Sequence, residues 1–553
     1  MPGTDRLKPS DLLMCSLPGQ SPQALHHPTA WPNLIVVGCM TSHPSAPDIA
    51  FPTNNSVDRV SQSIAEHYRD IVADVPTGLL LGGEFVDSES GKTFTVVDPA
   101  RNQPIVDVAS ATQADARRAL DLASAAQQEW AATPARTRAE ILRTVFELIQ
   151  RDAAKLTQLQ SLEMGRALPD SRSEVGYGGE FFRWFSEEAV RIQGDYRMAP
   201  NGRSRVVVMR QPVGPTLAIT PWNFPLAMGA RKIAPALAAG CTIIVKPASK
   251  TPLTMLYLGK LLVEAGVPAG VVSVLPTAHA SEVSALLGDP RLRKLTFTGS
   301  TEVGQMLAAK AAETSMRVSL ELGGNAPFVV LSDADVDKAV AAVVAAKLRN
   351  GGQVCIAANR FIVHESLAAQ FSAGVVERFK ELKVGPGTDP ETTLGPLALS
   401  SQRDLVRSLV DGAVADGAEV AYGGKVPELG EELSQGYFFE PTVLTGVARD
   451  SKIVSEEIFG PVVAVTTFAD DEEAIRLAND TQFGLAAYVF SENLNRALTA
   501  AEKLEAGMVA VNKGTLSDPS APFGGMKQSG IGREGGFSGI DEFLEEKLIS
   551  LEA

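Results

Sequence analysis

Apolar positions recur along this chain at two periods, and their alternation outlines a fold. From residue 112 the spacing is that of amphipathic helices, and Thr112-Gln113-Ala114-Asp115 reads as a capping box with a shorter acid. Further helices are predicted over residues 138–162 and 173–193. At residues 197–203 the pair Asn201-Gly202 falls between extended segments, and the β-branched run Val206-Val207-Val208 follows, which predicts a hairpin. Short apolar runs at 215–220, 241–245, 271–275, 294–297 and 317–320 are separated by helical stretches such as 254–265, a rhythm that predicts right-handed βαβ units and a parallel sheet. A second alternating region begins at Pro327-Phe328-Val329-Val330 and continues past Val462-Val463-Ala464-Val465, with helices at 335–347 and 402–416. The economical reading is an α/β protein with two α/β domains that meet near Gly323-Gly324.

The first 57 residues break this rhythm. They are rich in Pro, Ser, Thr and Asn, carry one short apolar burst at Leu34-Ile35-Val36-Val37, and precede a first helical pattern near Val60. They are expected to form a disordered or loosely packed extension, and a start codon placed too far upstream would leave the same pattern. A secretory signal is not expected, because Asp5, Lys8 and Asp11 interrupt a polar beginning.

Composition narrows the function classes. A chain of 553 residues exceeds what one core usually spans, and 45% hydrophobic with 21% charged residues is ordinary for a globular protein. No apolar run is long enough to cross a bilayer, so no membrane role is expected. The net charge of −15 is opposite in sign to the footprint of a nucleic-acid binder. Four cysteines without CxxC spacing and scattered histidines argue against a structural metal site or a disulfide framework, and suit a reducing cytoplasm.

Cys355 lies in the glycine-flanked stretch Asn350-Gly351-Gly352-Gln353-Val354-Cys355, and Glu321 lies upstream in Leu320-Glu321-Leu322-Gly323-Gly324. A thiolate attacks a carbonyl carbon readily, whereas releasing an acyl group from sulfur needs a water deprotonated by a base. The pair therefore suggests a thioester made and then hydrolysed. A lone cysteine is more often a small buried hydrophobe, the reading that suits Cys241 in its apolar strand. A lone strand-end glutamate is more often solvated or ion-paired.

Seven motifs in order change that balance: Thr220-Pro221-Trp222-Asn223-Phe224-Pro225, Lys246-Pro247-Ala248-Ser249, Phe297-Thr298-Gly299-Ser300-Thr301, the Glu321 and Cys355 stretches, Glu457-Ile458-Phe459-Gly460-Pro461 and Pro522-Phe523-Gly524-Gly525. From about residue 76 to its end the chain resembles the aldehyde dehydrogenase superfamily. The resemblance implies a Rossmann-type parallel-sheet cofactor domain from residues 58–193 and 213–323, a catalytic domain at 324–533, and a β-hairpin oligomerisation arm from 194–212 and 540–553. A homodimer or homotetramer is expected.

In that family Cys355 would be the nucleophile, Glu321 the base for hydrolysis, and Asn223 with the Cys355 backbone N–H the oxyanion donors. Relatives that pass the acyl group to coenzyme A typically lack a glutamate at position 321, so a free acid is the expected product. The same resemblance places Pro221, Trp222, Lys246, Ser249, Gly299, Ser300, Leu322, Glu457 and Phe459 at the dinucleotide: Gly299 and Ser300 at its phosphates, Lys246 at the adenosine ribose, and Glu457 with Phe459 at the nicotinamide end. A strand leading into Gly and hydroxyl residues at a helix start does offer N–H groups to a pyrophosphate. NAD-preferring relatives often have glutamate where this chain has Ser249, followed by Lys250, so NADP is expected over NAD.

Arg231, Arg349 and Ser517 match positions that hold the substrate carboxylate in the bacterial NADP-dependent succinate-semialdehyde dehydrogenase branch. Arginine suits the task because its planar fork grips a carboxylate through two charge-assisted hydrogen bonds. Taken singly, both arginines are equally at home on a surface or in an ion pair. Together with Ser517 they point to a small aldehyde with a distal carboxylate, succinate semialdehyde first and glutarate semialdehyde second, as in 4-aminobutyrate degradation. Uncharged aldehydes, or a scaffold that has lost catalysis, are the competing readings. Two departures stand out. Val354 replaces the usual threonine, and Ala357 stands where several members of the branch carry a second, redox-switching cysteine.

Overall fold

A computed structural model describes residues 68–553. The 1–57 extension and the helical pattern near Val60 lie outside the described residues. Two sheets organise the rest. The first has eight strands in the spatial order Glu84–Val86, Leu79–Leu81, Val272–Val274, Ile243–Lys246, Thr216–Ile219, Lys294–Thr298, Arg317–Glu321, Gly530–Ile531. Its five central strands are parallel, and the three short outer ones join antiparallel. Counted along the chain, the parallel strands run 3-2-1-4-5, so the winding reverses between Thr216–Ile219 and Lys294–Thr298. A crevice outside the carboxyl ends of two such strands is where doubly wound sheets bind ligands.

Both faces of this sheet are covered, which is why its strands read as continuous apolar runs rather than as alternations. Ile243 and Val245 pack toward helices Ala135–Arg151, Leu168–Glu188 and Ala227–Ala239, while Ile244, Leu217 and Ile219 pack toward Gln113–Ala132 and Thr301–Ala312. The Thr112 capping box forms as the sequence predicts, with the Asp115 carboxylate accepting from the Thr112 N–H at 2.9 Å. The single helix predicted over 138–162 is two, Ala135–Arg151 and Ala153–Met164. Asp152 separates them, its carboxylate drawn away to Arg151 and to the Tyr257 hydroxyl at 3.0 Å.

The second sheet runs Glu419–Tyr422, Thr442–Thr445, Val462–Phe468, Ala358–His364, Ala326–Val330, Ala486–Phe490, Met508–Val511, with only its first strand antiparallel. The chain changes sheet at residues 322–325, since Arg317–Glu321 ends the first and Ala326–Val330 begins the second. Gly530–Ile531 lies inside the 324–533 segment assigned above to the catalytic domain, yet it pairs with Leu320 and Glu321 of the first sheet. The reason is local: Gly530 has φ 149° and sits against the Leu320 backbone, where a Cβ would collide.

The hairpin is present as Asp195–Met198 and Ser204–Pro212, and Leu544–Glu552 adds a third strand along the full length of Ser204–Pro212. Tyr196, Met198, Met209, Leu548 and Leu551 on this small sheet are exposed. The helix predicted at 335–347 is regular only over Val336–Val343, after which Val344–Leu348 widens into a π-turn leading to the nucleophile loop. Among the described residues no helix is long and apolar enough to cross a membrane.

Candidate active site

Asn223 follows the carboxyl end of Thr216–Ile219, Glu321 ends Arg317–Glu321, and Cys355 precedes Ala358–His364 of the other sheet. The loop that carries the thiol is shaped by three successive left-handed residues, Asn350 (φ 54°), Gly351 (φ 62°) and Gly352 (φ 78°). Glycine is required at 352, because a Cβ there would run into the Gly460 carbonyl. Gln353 closes the turn, donating from Nε2 to the Asn350 carbonyl at 3.0 Å and accepting from the Ala398 N–H at 2.9 Å.

Asn223 Nδ2 donates to the Gln353 carbonyl at 3.0 Å, which fixes the amide beside the loop and leaves its second N–H unused. The Cys355 N–H makes no hydrogen bond among the described residues, so two donors stand available at the thiol. Burial pushes the half-buried Cys355 thiol up to about 12; the Arg231 charge opposes that rise, the Glu457 and Glu321 charges add to it, and Arg349 also opposes it. The resting thiol is therefore protonated at neutral pH, and its ionisation needs a base or a compensating cation.

Glu321 is 3% exposed, and its Oε2 has no hydrogen-bond partner. Its carboxyl group is held well above the ordinary carboxylate range, first by burial and then by the Glu534 charge, against the pull of Arg231, Lys232 and Arg533. A buried, unpartnered carboxyl with a raised pKa is what a general base working near neutrality requires.

Arg231 is 1% exposed, on Ala227–Ala239. It forms an ion pair with Glu534, and its guanidinium lies 3.8 Å from the centroid of the Phe523 ring. Arg349 is half-buried, 5.1 Å over the Phe224 ring, and makes no ion pair among the described residues. The Ser517 hydroxyl is hydrogen-bonded to the Tyr177 hydroxyl, and Tyr177 meets Phe181 edge-on at 5.0 Å. Both arginines act on the Cys355 charge, so the structure brings these two predicted residues to the thiol.

The cofactor candidates gather at the switch point. Lys246 ends Ile243–Lys246, its side-chain ammonium makes no hydrogen bond or ion pair among the described residues, and burial lowers it to about 8. Ser249 is half-buried beside the exposed Lys250. Gly299 leads into Ser300, which caps Thr301–Ala312 by accepting from the Val303 N–H at 3.4 Å. Leu322 fills the space over Gly304, and Pro221 and Trp222 are half-exposed, with Trp222 edge-on to Phe459 at 5.5 Å. Phe459 holds a left-handed φ of 49°, and Glu457 accepts from the Gly324 N–H at 3.3 Å. Burial pushes Glu457 up to about 7. A buried cation without an anion, a helix start and no carboxylate at 249 fit a phosphorylated dinucleotide.

Sequence reasoning missed the residues behind this site. Lys232, buried, donates to Thr298 Oγ1 at 2.6 Å and pairs with Glu534. Arg166, Asp170 and Glu174 support Asn223 and the nucleophile loop from the far side. Lys347, in the π-turn, is 1% exposed with no hydrogen-bond partner, and burial lowers it to about 7. Two adjacent cations, Arg231-Lys232, inside an otherwise apolar helix were the signal available for Lys232.

The aldehyde dehydrogenase family model matches residues 85–549. The chain belongs to the aldehyde dehydrogenase family. This aldehyde dehydrogenase is 51% identical over 445 residues to a succinate-semialdehyde dehydrogenase of Paenarthrobacter nicotinovorans, covering 80% of this chain and 98% of that protein. It is 43% identical to a glutarate-semialdehyde dehydrogenase of Pseudomonas putida, covering 85% of this chain and 97% of the relative. The crystal structure of an E. coli NADP-dependent enzyme superposes with a TM-score of 0.85 at 42% identity, covering 87% of this chain and 98% of that one. The α/β fold and the family read from the seven motifs are thus both borne out.

Proposed function

We propose that this aldehyde dehydrogenase oxidises succinate semialdehyde to succinate with NADP. The observation that carries the substrate class is the pair of guanidiniums, Arg231 and Arg349, that act on Cys355 from aromatic platforms, with Tyr177, hydrogen-bonded to Ser517, within reach of the Arg231 charge. Once its thiol proton has passed to a base, Cys355 attacks the aldehyde carbon as the thiolate, and the free N–H of Asn223 and the Cys355 backbone N–H take the oxyanion; such a donor is worth roughly 3 kcal/mol. Gly299, Ser300 and Lys246 hold the phosphorylated half of the dinucleotide, and Glu457 with Phe459 the other end. A nicotinamide bound there would supply the hydride acceptor, leaving the acyl group on Cys355 as a thioester. Glu321 then takes a proton from water, and the hydroxide displaces Cys355 as thiolate.

Glutarate semialdehyde, one methylene longer, is the second reading, supported by the 43% identical relative. A scaffold without catalysis is disfavoured by the unpartnered Glu321 carboxyl, which costs stability and has no structural use. The exposed apolar side chains of the three-stranded sheet support a homo-oligomer built through that arm. A cytoplasmic enzyme is in keeping with the two described cysteines, Cys241 and Cys355, both free. The test is kcat/KM for succinate semialdehyde, glutarate semialdehyde and butyraldehyde, each with NADP and NAD. Equal values for the uncharged aldehyde would remove the carboxylate clamp, and a preference for NAD would remove the reading of Ser249.

A further inference from the structure

Asn223 and Cys355 come from different sheets, and no short covalent path fixes their separation. Two hydrogen bonds tie the two stretches together, Asn223 Nδ2 to the Gln353 carbonyl at 3.0 Å and Asn350 Nδ2 to the Asn223 carbonyl at 3.0 Å, and a third within the loop, Asn350 Nδ2 to the Gln353 carbonyl at 3.2 Å, joins them. A third segment, outside both stretches, grips this knot from behind. Arg166 Nη2 donates to the same Asn223 carbonyl at 3.1 Å, and its guanidinium lies 4.9 Å over the Phe224 ring. At the third residue of the helix Leu168–Glu188 that follows, Asp170 Oδ2 accepts from the Asn350 N–H at 2.8 Å. That N–H belongs to a non-glycine residue in the left-handed region, a conformation that persists only where its surroundings impose it.

The anchor is itself rigid. Arg166 and Glu174 are buried and ion-paired, and Glu174 Oε1 accepts from the Leu226 and Ala227 N–H groups at 2.9 Å each, capping the helix that begins just after Asn223. Leu168–Glu188 and the Arg166 just before it therefore hold the oxyanion side through Arg166 and Glu174 and the nucleophile side through Asp170.

We propose that Arg166 and Asp170 are positioning residues that set the oxyanion donor against the nucleophile, Arg166 through the Asn223 carbonyl and Asp170 through the Asn350 N–H. The assignment rests on the reading of Asn223 and Cys355 given above. Neither residue touches substrate. Their effect is confined to the step in which the carbonyl oxygen gains charge, so cofactor binding, which uses the switch point, is left alone.

The test is the pre-steady-state burst of NADPH on the full chain with succinate semialdehyde, beside the rate of Cys355 alkylation by iodoacetamide, which develops no oxyanion. Asp170→Ala slows the burst roughly 100-fold, the cost of a misplacement of about an ångström, with the NADP dissociation constant unchanged. Asp170→Asn keeps an oxygen acceptor for the Asn350 N–H and restores most of the rate. Arg166→Lys keeps the charge opposite Glu174, loses the fork that reaches both Glu174 and Asn223, and slows the burst while alkylation stays at the wild-type rate. A wild-type burst in Asp170→Ala, equal slowing in Asp170→Asn, or alkylation slowed in step with the burst in Arg166→Lys overturns the assignment. A wild-type enzyme that gives no burst with succinate semialdehyde but one with butyraldehyde instead refutes the substrate reading, and the positioning test then runs on butyraldehyde.

Discussion

Arg231 and Glu534 form an ion pair sealed from water, with side-chain exposures of 1% and 6%. Lys232 pairs with the same carboxylate, and the Arg231 guanidinium lies face-to-ring on Phe523. Arg349, the other arginine of the proposed clamp, has no carboxylate partner among the described residues and rests on Phe224. The two arginines are thus unequal: one is built into the core, and the other is free to be neutralised by a ligand.

That inequality separates two variants. Arg349→Ala raises KM for succinate semialdehyde by about 10- to 100-fold, the worth of one charge-assisted hydrogen-bonded pair, and leaves the melting temperature unchanged. Arg231→Ala raises KM and also destabilises the fold by roughly 3–5 kcal/mol, because it strips one partner from a buried pair. Steady-state kinetics beside thermal melts of both variants check this, and equal losses of stability would contradict it.

Glu321→Gln preserves the shape of the side chain and removes its basicity. The variant gives a burst of NADPH close to one per Cys355, followed by slow turnover as the thioester awaits hydrolysis. Mass spectrometry of the quenched variant finds the succinyl group on the Cys355 peptide. Wild-type kcat in this variant would reassign the base.

The sheet strands and most helices were legible because burial on both faces leaves continuous apolar runs, and Ile243-Ile244-Val245 splits between two cores just as such a run must. Cys355, Glu321 and Asn223 were legible as motifs. The supports were not. Arg166, Asp170 and Glu174 sit in a polar-looking stretch whose charges are satisfied by backbone groups more than fifty residues away, and no local pattern records such pairing. The π-turn at Val344–Leu348 was hidden for a related reason, since its residues keep helical spacing while the hydrogen-bond register changes.

The proposed role of Ser249 in cofactor choice works through charge alone. Ser249→Glu introduces a carboxylate three residues beyond Lys246, whose buried ammonium has no anion of its own among the described residues. It repels a 2′-phosphate and lowers kcat/KM for NADP at least about 10-fold while that for NAD rises, as one added like charge at close range predicts. Parallel assays with the two cofactors decide it.

With Ala357 in place the thiol has no nearby cysteine among the described residues, and Cys241 is buried against the Phe543 carbonyl at 3.3 Å. Ala357→Cys, two residues from the nucleophile, converts peroxide inactivation into a loss that dithiothreitol reverses, because a sulfenic acid on Cys355 then condenses with the new thiol. Thiol counting before and after reduction checks the disulfide. Unaltered reversibility would mean the loop cannot bring the two sulfurs together.

The proposed place of Glu457 at the cofactor predicts a pH dependence of cofactor binding. Burial raises Glu457 to about 7, with the Gly324 N–H and the Lys347 charge pulling the other way, so the neutral acid predominates below that value and the carboxylate above it. Ribose hydroxyls donate better to a carboxylate, and KM for NADP therefore falls as pH rises from about 6 to about 8, against an ordinary glutamate pKa near 4.3. Stability moves the opposite way. A carboxyl whose folded pKa is raised favours the folded state fully only below its unfolded value, and that contribution is lost as pH rises through about 7. Glu457→Gln has no proton to lose. Its stability without cofactor accordingly gains on the wild type between about pH 4.3 and about 7 and holds a constant margin above, while its KM for NADP loses the pH slope. Melts and cofactor titrations across that range read both effects, and a slope that survives in the glutamine variant would place the titrating group elsewhere, with Lys347 next in line because it too is shifted to about 7.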